Sequence, residues 1–354
     1  MARAPEPSTH LRGQTPASLA TLWPDLPLDP VIARRVVERL VGQGRDDLDG
    51  VRGLSRALAR EILLRGSTAR IACIDARESP VDGFAKYLFR GGDGALFETV
   101  RIPLERPRFS VCVSSQAGCG LGCAFCATGR EGLTRSLEAW EIVEQVLTVK
   151  RLAPAGRPVT GVVFQGQGEP LQNYDAVMRA AAILRDPNGL RIRGEAITIA
   201  TVGLLSAIER FTAEGYPYRL ILSLTSAIDG KRGELVPLAR ATPVAALAKA
   251  MRAHAAARGS LVHVGWVLIA GWNTGDDEAD ALARHFSGLA VRVHLIDVND
   301  PTGHFSPPGD EERRRFAGAL GTRGIAFVRR YSGGADIHAA CGMLASTARG
   351  GRPA

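Results

Sequence analysis

Three cysteines lie within eight residues of one glycine-rich stretch between Val111 and Gly129. They are Cys119, Cys123 and Cys126, in a C-x3-C-x2-C spacing. Three thiolates at this spacing can bind one four-iron cubane, which leaves one iron without a protein ligand and therefore reactive. Structural zinc sites usually have four ligands in paired motifs, and no second C-x2-C or H-x3-H pair occurs in the chain. The spacing therefore favours an iron–sulfur cluster over zinc. It also favours a cluster over three unrelated core cysteines, because the neighbouring glycines would make a poor core.

The composition is that of an ordinary globular protein with a basic surface. The 354 residues suffice for one large domain with an appendage or for two domains. A net charge of +8 indicates a polyanionic partner such as nucleic acid. We expect a cytoplasmic protein without a membrane segment, because no apolar run is long enough to span a bilayer and residues 1–13 lack the apolar core of a signal peptide. Six cysteines in such a chain favour metal ligands or catalytic thiols over disulfides.

The segments before the cysteine stretch differ in pattern. Residues 1–30 are rich in Pro, Thr and Ser and predict a disordered leader. Apolar residues at three- and four-residue steps predict a small helical accessory domain at 31–68. Short strands and a Gly-rich turn predict a β-hairpin extension at 69–107. A disordered tail is predicted at 346–354.

The segment 108–345 alternates strand-like with helical runs, which is typical of parallel strands joined by crossover helices. Six strands are predicted, in the runs FSVCVSS, VTGVVFQG, AITIATVG, RLILSLTS, LVHVGWVLIAG and VRVHLIDVN, and IAFVRRYS is a seventh strand-like run. The predicted fold class is α/β, a partial (β/α)6 TIM-like barrel whose chemistry lies at the carboxyl ends of the strands. The cysteine stretch obeys that rule, because it directly follows the first strand.

The cysteine spacing resembles the signature of the radical-SAM superfamily, in which the open iron binds and reductively cleaves S-adenosylmethionine. Together with five further stretches it resembles the RlmN/Cfr family of radical-SAM RNA methyltransferases, over most of the chain up to about Leu344. The carriers are FETVRIP, FQGQGEPLQNY, SLTSAIDGKRGELVPL, HLIDVN and DIHAACGML. The resemblance implies one [4Fe-4S] cluster per chain, held by Cys119, Cys123 and Cys126, and two S-adenosylmethionine molecules per turnover.

Two further cysteines, Cys112 and Cys341, carry the family's distinctive chemistry. The resemblance implies that Cys341 accepts a methyl group, that a 5'-deoxyadenosyl radical takes a hydrogen from it, and that the resulting methylene radical adds to an adenine carbon. Glu98 would accept a proton from the adduct. Cys112 would then attack the sulfur of Cys341, which releases the product and forms a transient disulfide that a reductant reopens.

The turn GQGEP follows the second predicted strand, where its glycines allow a ligand to approach the backbone and Glu169 can accept a hydrogen bond. The resemblance implies cofactor-binding roles for Gly168, Glu169, Ala200, Ser223, Leu224, Thr225 and Asn299. The chain departs from the family where Thr225 replaces a histidine in SLTSA, and where Ala200 and Val202 replace hydroxyl residues in ATVG. These departures alter cofactor contacts and leave the exact target open.

The expected function is therefore radical-SAM methylation of C2 or C8 of an adenosine in structured RNA, with rRNA as the first target and tRNA as the second. The expected partners are that RNA and an electron-donor reductase, and we expect a monomer. Two alternatives remain at this point. One is a different radical-SAM enzyme in which Cys112 and Cys341 are incidental, and the other is a non-catalytic iron–sulfur protein that binds RNA.

Overall fold

The computed structural model describes residues 9–345 of the chain. The N-terminal part contains strand β1 (Thr9–His10), helices α1 (Pro16–Thr21), α2 (Pro30–Val37) and α3 (Arg56–Arg65), and strand β2 (Gly66–Ser67), which pairs with β1 in parallel. A 3-10 turn at Leu11–Gly13 precedes α1, and a π-helical turn at Glu38–Gly42 continues α2. The predicted tail at 346–354 lies outside the described residues.

The predicted disordered leader is wrong for residues 9–30, which are folded; residues 1–8 lie outside the described residues. Leu19 is fully buried, and Thr15 caps α1 through a capping box with Ser18. The buried Arg12 forms ion pairs with Asp46 and Glu144. The composition did not indicate that this segment is folded, because a few buried leucines and one buried arginine hold residues that are otherwise mostly polar.

Three antiparallel strands follow, β3 (Ala72–Glu78), β4 (Ala85–Arg90) and β5 (Leu96–Pro103). The Gly-rich turn at 91–94 joins β4 to β5, as the sequence indicates. These strands extend the sheet of the barrel, because β5 pairs antiparallel with the first barrel strand, and Val100 lies opposite Cys112. The hairpin extension is therefore continuous with the wall that carries Cys112.

The remainder is the predicted partial barrel. Its elements in chain order are β6 (Phe109–Val113), β7 (Gln116–Cys119), α4 (Ala127–Glu131), β8 (Gly132–Ser136), α5 (Ala139–Leu152), β9 (Val159–Phe164), α6 (Tyr174–Arg185), β10 (Ile197–Thr201), α7 (Leu205–Glu214), β11 (Arg219–Ser223), α8 (Asp229–Leu235), α9 (Val244–Arg258), β12 (Val262–Leu268), α10 (Asp276–His285), β13 (Val291–Asp297), α11 (Asp310–Thr322) and β14 (Ala326–Arg330). Short 3-10 turns lie at Pro170–Asn173, Gly194–Ala196, Pro237–Ala241 and Ala335–Ile337.

The main sheet has ten strands in the order β3-β4-β5-β6-β9-β10-β11-β12-β13-β14, while β7 and β8 form a separate hairpin. All seven strands from β6 to β14 in this sheet run parallel. This confirms the predicted α/β barrel and adds β14 as a seventh parallel strand. Side chains alternate between the two faces of each strand. The ring of Trp266 packs against Phe316 of α11 on the convex face, while the stretch from Gly265 to Val267 contributes to the lining of the concave side. Within residues 9–345, none of the helices has both the length and the apolar character needed to cross a membrane.

Candidate active site

The concave side of the barrel holds a cavity of about 260 Å³ at the carboxyl ends of its strands. Cys119 ends β7, and Cys123 and Cys126 follow in the loop before α4; all three line this cavity. The loop requires glycine at Gly118, where φ is +76° and an added Cβ would lie 2.0 Å from the carbonyl oxygen of Gly132. The chain makes a tight turn at this close approach, and Cys119, Cys123 and Cys126 together form one side of the cavity, here called the three-cysteine wall.

The environment of these thiols fits an iron–sulfur cluster. They are soft donors in an apolar layer formed with Leu121, Ile269 and Val298. Burial and the neighbouring thiols raise the pKa of Cys123 to about 12, and burial raises the pKa of Cys119 to about 11, so a cationic group is needed to favour the thiolates. No three His, Cys, Asp or Glu side chains among residues 9–345 converge closely enough to hold a single metal ion.

Beside the cysteines, the carboxyl ends of the next strands and the loops that follow them contribute the predicted cofactor-binding residues. Gly168, Glu169, Ala200, Ser223, Thr225 and Asn299 all line the cavity. The carboxylate of Glu169 is buried and accepts hydrogen bonds from the amides of Leu171 and Val202, both at 3.0 Å. Burial raises the pKa of Glu169 to about 7, while these amide bonds favour the charged form. A cationic group of a ligand placed here would find an acceptor that the protein already orients.

Leu224 is the exception among the predicted cofactor residues, because it lies in the hydrophobic core and does not line the cavity. Ser223, the last residue of β11, and Thr225 line the cavity, whereas Leu224 between them packs in the core. Thr225 has φ +64°, which is unfavourable for a β-branched residue, and the side-chain amide of Asn273 donates to its carbonyl at 2.7 Å. The strained backbone is thus held at a position where this chain departs from the motif of the family that it resembles.

The two distant cysteines meet at this cavity. Cys112 lies on β6 and Cys341 on the C-terminal loop, and both line the cavity. The pKa of Cys112 is raised by burial and further by the nearby charge of a Cys341 thiolate. Cys341 is an exposed residue of its loop; desolvation where its thiol enters the cavity raises its pKa, while Ser332 and Arg330 oppose that shift. The fold therefore brings together two thiols that are more than 200 residues apart in sequence.

The loop that contains Cys123 and Cys126, here called the cluster loop, is hydrogen-bonded directly to the C-terminal loop that contains Cys341. The amide of Ala127, next to Cys126, donates to the carbonyl of Gly342 at 2.8 Å. The hydroxyl of Thr128 donates to the carbonyl of Leu344 at 2.6 Å. These bonds place the C-terminal cysteine at a set position relative to the three-cysteine wall.

Glu98, the predicted proton acceptor, does not line the cavity, in contrast to the other two predicted catalytic residues, Cys112 and Cys341. It is fully buried behind the Cys341 loop, where its carboxylate accepts from the amide of Ala345 at 3.0 Å. Its other oxygen lies 3.1 Å from the ammonium of Lys86, which also donates to the carbonyl of His338. The sequence analysis missed Lys86, although a lysine between the apolar residues of β4 is itself an unusual signal.

The comparisons with known proteins agree with this geometry. The model of the radical SAM superfamily matches residues 113–286. A probable RNA methyltransferase of Anaeromyxobacter sp. (strain Fw109-5) is 49% identical over 96% of this chain and 99% of its own length. The dual-specificity RNA methyltransferase RlmN of Syntrophotalea carbinolica is 36% identical over 88% of this chain and 82% of its own. The chain belongs to the RlmN/Cfr family of radical-SAM RNA methyltransferases.

The solved structures support the same assignment. A radical SAM methyltransferase from Sphaerobacter thermophilus superimposes with a TM-score of 0.88 at 38% identity, over 95% of this chain and 99% of that one. The predicted family, fold and enzyme class are thereby confirmed, and the non-catalytic alternative is excluded. As an RlmN/Cfr member the chain uses S-adenosylmethionine and a [4Fe-4S] cluster, and the three-cysteine wall is the donor set that fits the cluster.

A cluster held only by three thiolates should not survive the loss of one of them. We expect Cys123→Ala to lower bound iron from about four per chain to less than about one after anaerobic reconstitution. Iron content and the visible absorption of the cluster measure the effect. Cys73→Ala, which removes a thiol outside the cavity, should keep the full iron content. Full iron in Cys123→Ala would contradict this ligand assignment.

Proposed function

We propose that this RlmN/Cfr enzyme methylates C2 or C8 of an adenosine in ribosomal RNA, through a methyl group carried on Cys341 and a disulfide formed with Cys112. The observation that carries the proposal is the convergence of both thiols on the cavity that also contains the three-cysteine wall. A radical-SAM enzyme that transfers no methyl through cysteine has no use for this pair. We assign the cluster to Cys119, Cys123 and Cys126.

The ring carbons C2 and C8 of adenine are electrophilic, so a sulfonium methyl, itself an electrophile, does not transfer to them directly. Bound S-adenosylmethionine, with an electron from the cluster, supplies both the methyl group and the radical that activates it, which requires two molecules per turnover. Cys341 first carries the methyl as a thioether, and after hydrogen abstraction its methylene carbon bonds to the ring. The thiol pair thus converts one unfavourable transfer into feasible steps.

The remaining steps belong to this chain's own side chains. Glu98 accepts the proton that leaves the ring carbon as aromaticity returns, which requires the Cys341 loop to move away from the buried carboxylate, and Lys86 pairs with this carboxylate until then. The Cys112 thiolate attacks the sulfur of Cys341 and breaks the sulfur–carbon bond, and the carbon left on the base takes up one proton to become a methyl group. The one electron that remains from the radical addition would return to the cluster that supplied it. The resulting disulfide is reduced by an external electron donor, which we expect to be a cellular reductase.

Two relatives from one organism bear on the target. Anaeromyxobacter sp. (strain Fw109-5) has the 49%-identical probable RNA methyltransferase and also a dual-specificity RNA methyltransferase RlmN that is 36% identical to this chain. The greater similarity to the former, together with Thr225 and Ala200, supports a target adenosine different from that of RlmN. Ribosomal RNA is our first candidate and transfer RNA the second. We expect a monomer that works in the cytoplasm, where these RNAs reside.

The test is mass spectrometry of nucleosides from cells with and without the gene. We expect one C-methylated adenosine to disappear from the large-subunit rRNA fraction and to return with the intact gene. Synthetic 2-methyladenosine and 8-methyladenosine standards identify the carbon, and a parallel tRNA fraction identifies the RNA. Identical methyladenosine content in both strains would contradict the proposal.

Glu98 should influence the step after the adduct forms. We expect Glu98→Gln to lower the rate of product formation by roughly 10²-fold, because the amide cannot accept the proton. Single-turnover methylation of RNA measures this rate. Glu78→Gln is the matched control, since Glu78 is exposed on β3 of the same sheet, separated from β5 by β4, and pairs with Arg101. A Glu98→Gln enzyme as fast as the control would remove Glu98 from the mechanism.

A further inference from the structure

A group of basic side chains, here called the basic cluster, lies on neighbouring strands β11 to β14 of the main sheet. His263 on β12 and His294 on β13 are adjacent, and their rings are joined by a 2.9 Å hydrogen bond. Around them lie Arg219, Arg292 and Arg330, from β11, β13 and β14. Arg330 also lines the cavity that contains Cys341, so the basic cluster adjoins the reaction site.

The hydrogen bonds determine which ring nitrogens carry protons. Arg330 Nε donates to His294 Nδ1 at 2.8 Å, and an arginine cannot accept in return. His294 therefore carries its proton on Nε2 and donates it to His263 Nδ1. The proton of His263 is then on Nε2, where it remains available as a donor. The hydrogen-bonded series Arg330–His294–His263 therefore has a donor group at each end, the guanidinium of Arg330 and the Nε2–H of His263.

The same cluster contains no carboxylate among the described residues, and the group near it that can become negative is the Cys341 thiol, which interacts with Arg330. Among the described residues no carboxylate pairs with Arg219, Arg292 or Arg330, whereas the adjacent Arg329 pairs with Asp297. Burial and these three arginines lower the pKa of His263 to about 4 and that of His294 to about 3, so both rings are neutral at physiological pH. Three guanidinium groups repel one another unless an anion lies between them.

We propose that the basic cluster is a binding site for a backbone phosphate of the substrate RNA, close to the nucleotide presented to Cys341. This inference rests on the proposed function. Guanidinium groups bind phosphate with paired hydrogen bonds, and the N–H of His263 adds a further donor. Arg292 and Arg330 are exposed, so a polymer can reach the site, and Arg330 connects it to the cavity. The site orients the RNA without reading a base.

The test compares two charge-neutralising variants with equal loss of charge. Arg219→Gln with Arg292→Gln removes two arginines of the site, while Arg179→Gln with Arg258→Gln removes two exposed arginines from helices α6 and α9. The dissociation constant for protein-free ribosomal RNA is measured from low to high KCl with the full chain. We expect the site variant to bind roughly tenfold more weakly and the slope of log K against log salt to fall in magnitude by about 1. The control should change less than about twofold.

A second pair separates binding from folding. Arg219→Lys with Arg292→Lys keeps the charge and should restore most of the slope, which a purely structural role would not require. Wild-type binding with the same slope in the Gln variant and in the control would overturn the site and leave the proposed function standing. No RNA binding by the wild type would overturn both. Inorganic phosphate that raises the unfolding temperature of the wild type but not of the Gln variant, with an unchanged RNA slope, would identify a free-oxyanion site and overturn the RNA assignment.

Discussion

Cys341→Ala is expected to abolish methylation of RNA, with a loss on the order of 10⁴-fold or more, because the side chain that carries the methyl group is gone. The measurement is transfer of a labelled methyl group from S-adenosylmethionine to RNA under anaerobic reduction. Cys112 is not expected to replace it, since that thiol is buried on β6, whereas Cys341 is exposed on its loop. In the Cys341→Ala protein isolated from cells, the peptide that contains position 341 should no longer carry the additional mass of one methyl group.

Cys73→Ala is the matched control for this experiment. Its thiol is half-buried on β3, away from the cavity, and burial raises its pKa as well. It should methylate RNA at the rate of the unaltered enzyme. Methylation that persists in Cys341→Ala would favour the alternative radical-SAM enzyme, in which the extra cysteines are incidental.

The second large effect is expected for Cys112→Ala, which should trap RNA on the protein. Without the attacking thiol, the bond between the ring carbon and the Cys341 methylene is not resolved, and the enzyme stops after at most about one turnover. A covalent RNA–protein species should appear on denaturing gels and disappear after nuclease digestion. It should remain under thiol reductants, because the link is a thioether and not a disulfide.

The double variant Cys112→Ala with Cys341→Ala provides the control for trapping. It should form no covalent species, because the atom that makes the bond to RNA is absent. Adduct in the double variant would place the link on another residue. Full turnover by Cys112→Ala, with no adduct, would mean that another group resolves the intermediate and that the disulfide has no part in release.

Several features could be predicted because their signal is local. The C-x3-C-x2-C spacing and its glycines lie in one short loop, and a loop of that length can present three thiols to one wall in few ways. The six barrel strands were recognisable because strands covered by helices are apolar over most of their length. Their alternation with helical runs then restricted the topology to parallel crossovers.

Other features were not predictable because they depend on partners far along the chain. The order of residues 9–30 depends on Arg12, whose partners Asp46 and Glu144 lie on different elements. The burial of Glu98 depends on Lys86 and on the backbone of the C-terminal loop. Leu224 shares its motif with Ser223 and Thr225, but it packs in the core while they line the cavity.

The sequence by itself determined three thiols at the spacing of a cluster site and a parallel α/β scaffold to carry them, whereas the methyl-transfer roles of Cys112 and Cys341 come from the family resemblance and are our proposal. Residue types and short spacings suffice to predict the cluster ligands and the strands, because both depend on residues that are close together in the sequence. Only the tertiary structure decided which side chains meet. In the folded protein Cys112 and Cys341 line the same cavity, and Glu98 is buried behind the Cys341 loop. Three arginines, none paired with a carboxylate among the described residues, lie around two neutral histidines. Such encounters follow from how strands far apart in sequence are aligned in one sheet, and no local pattern encodes that register.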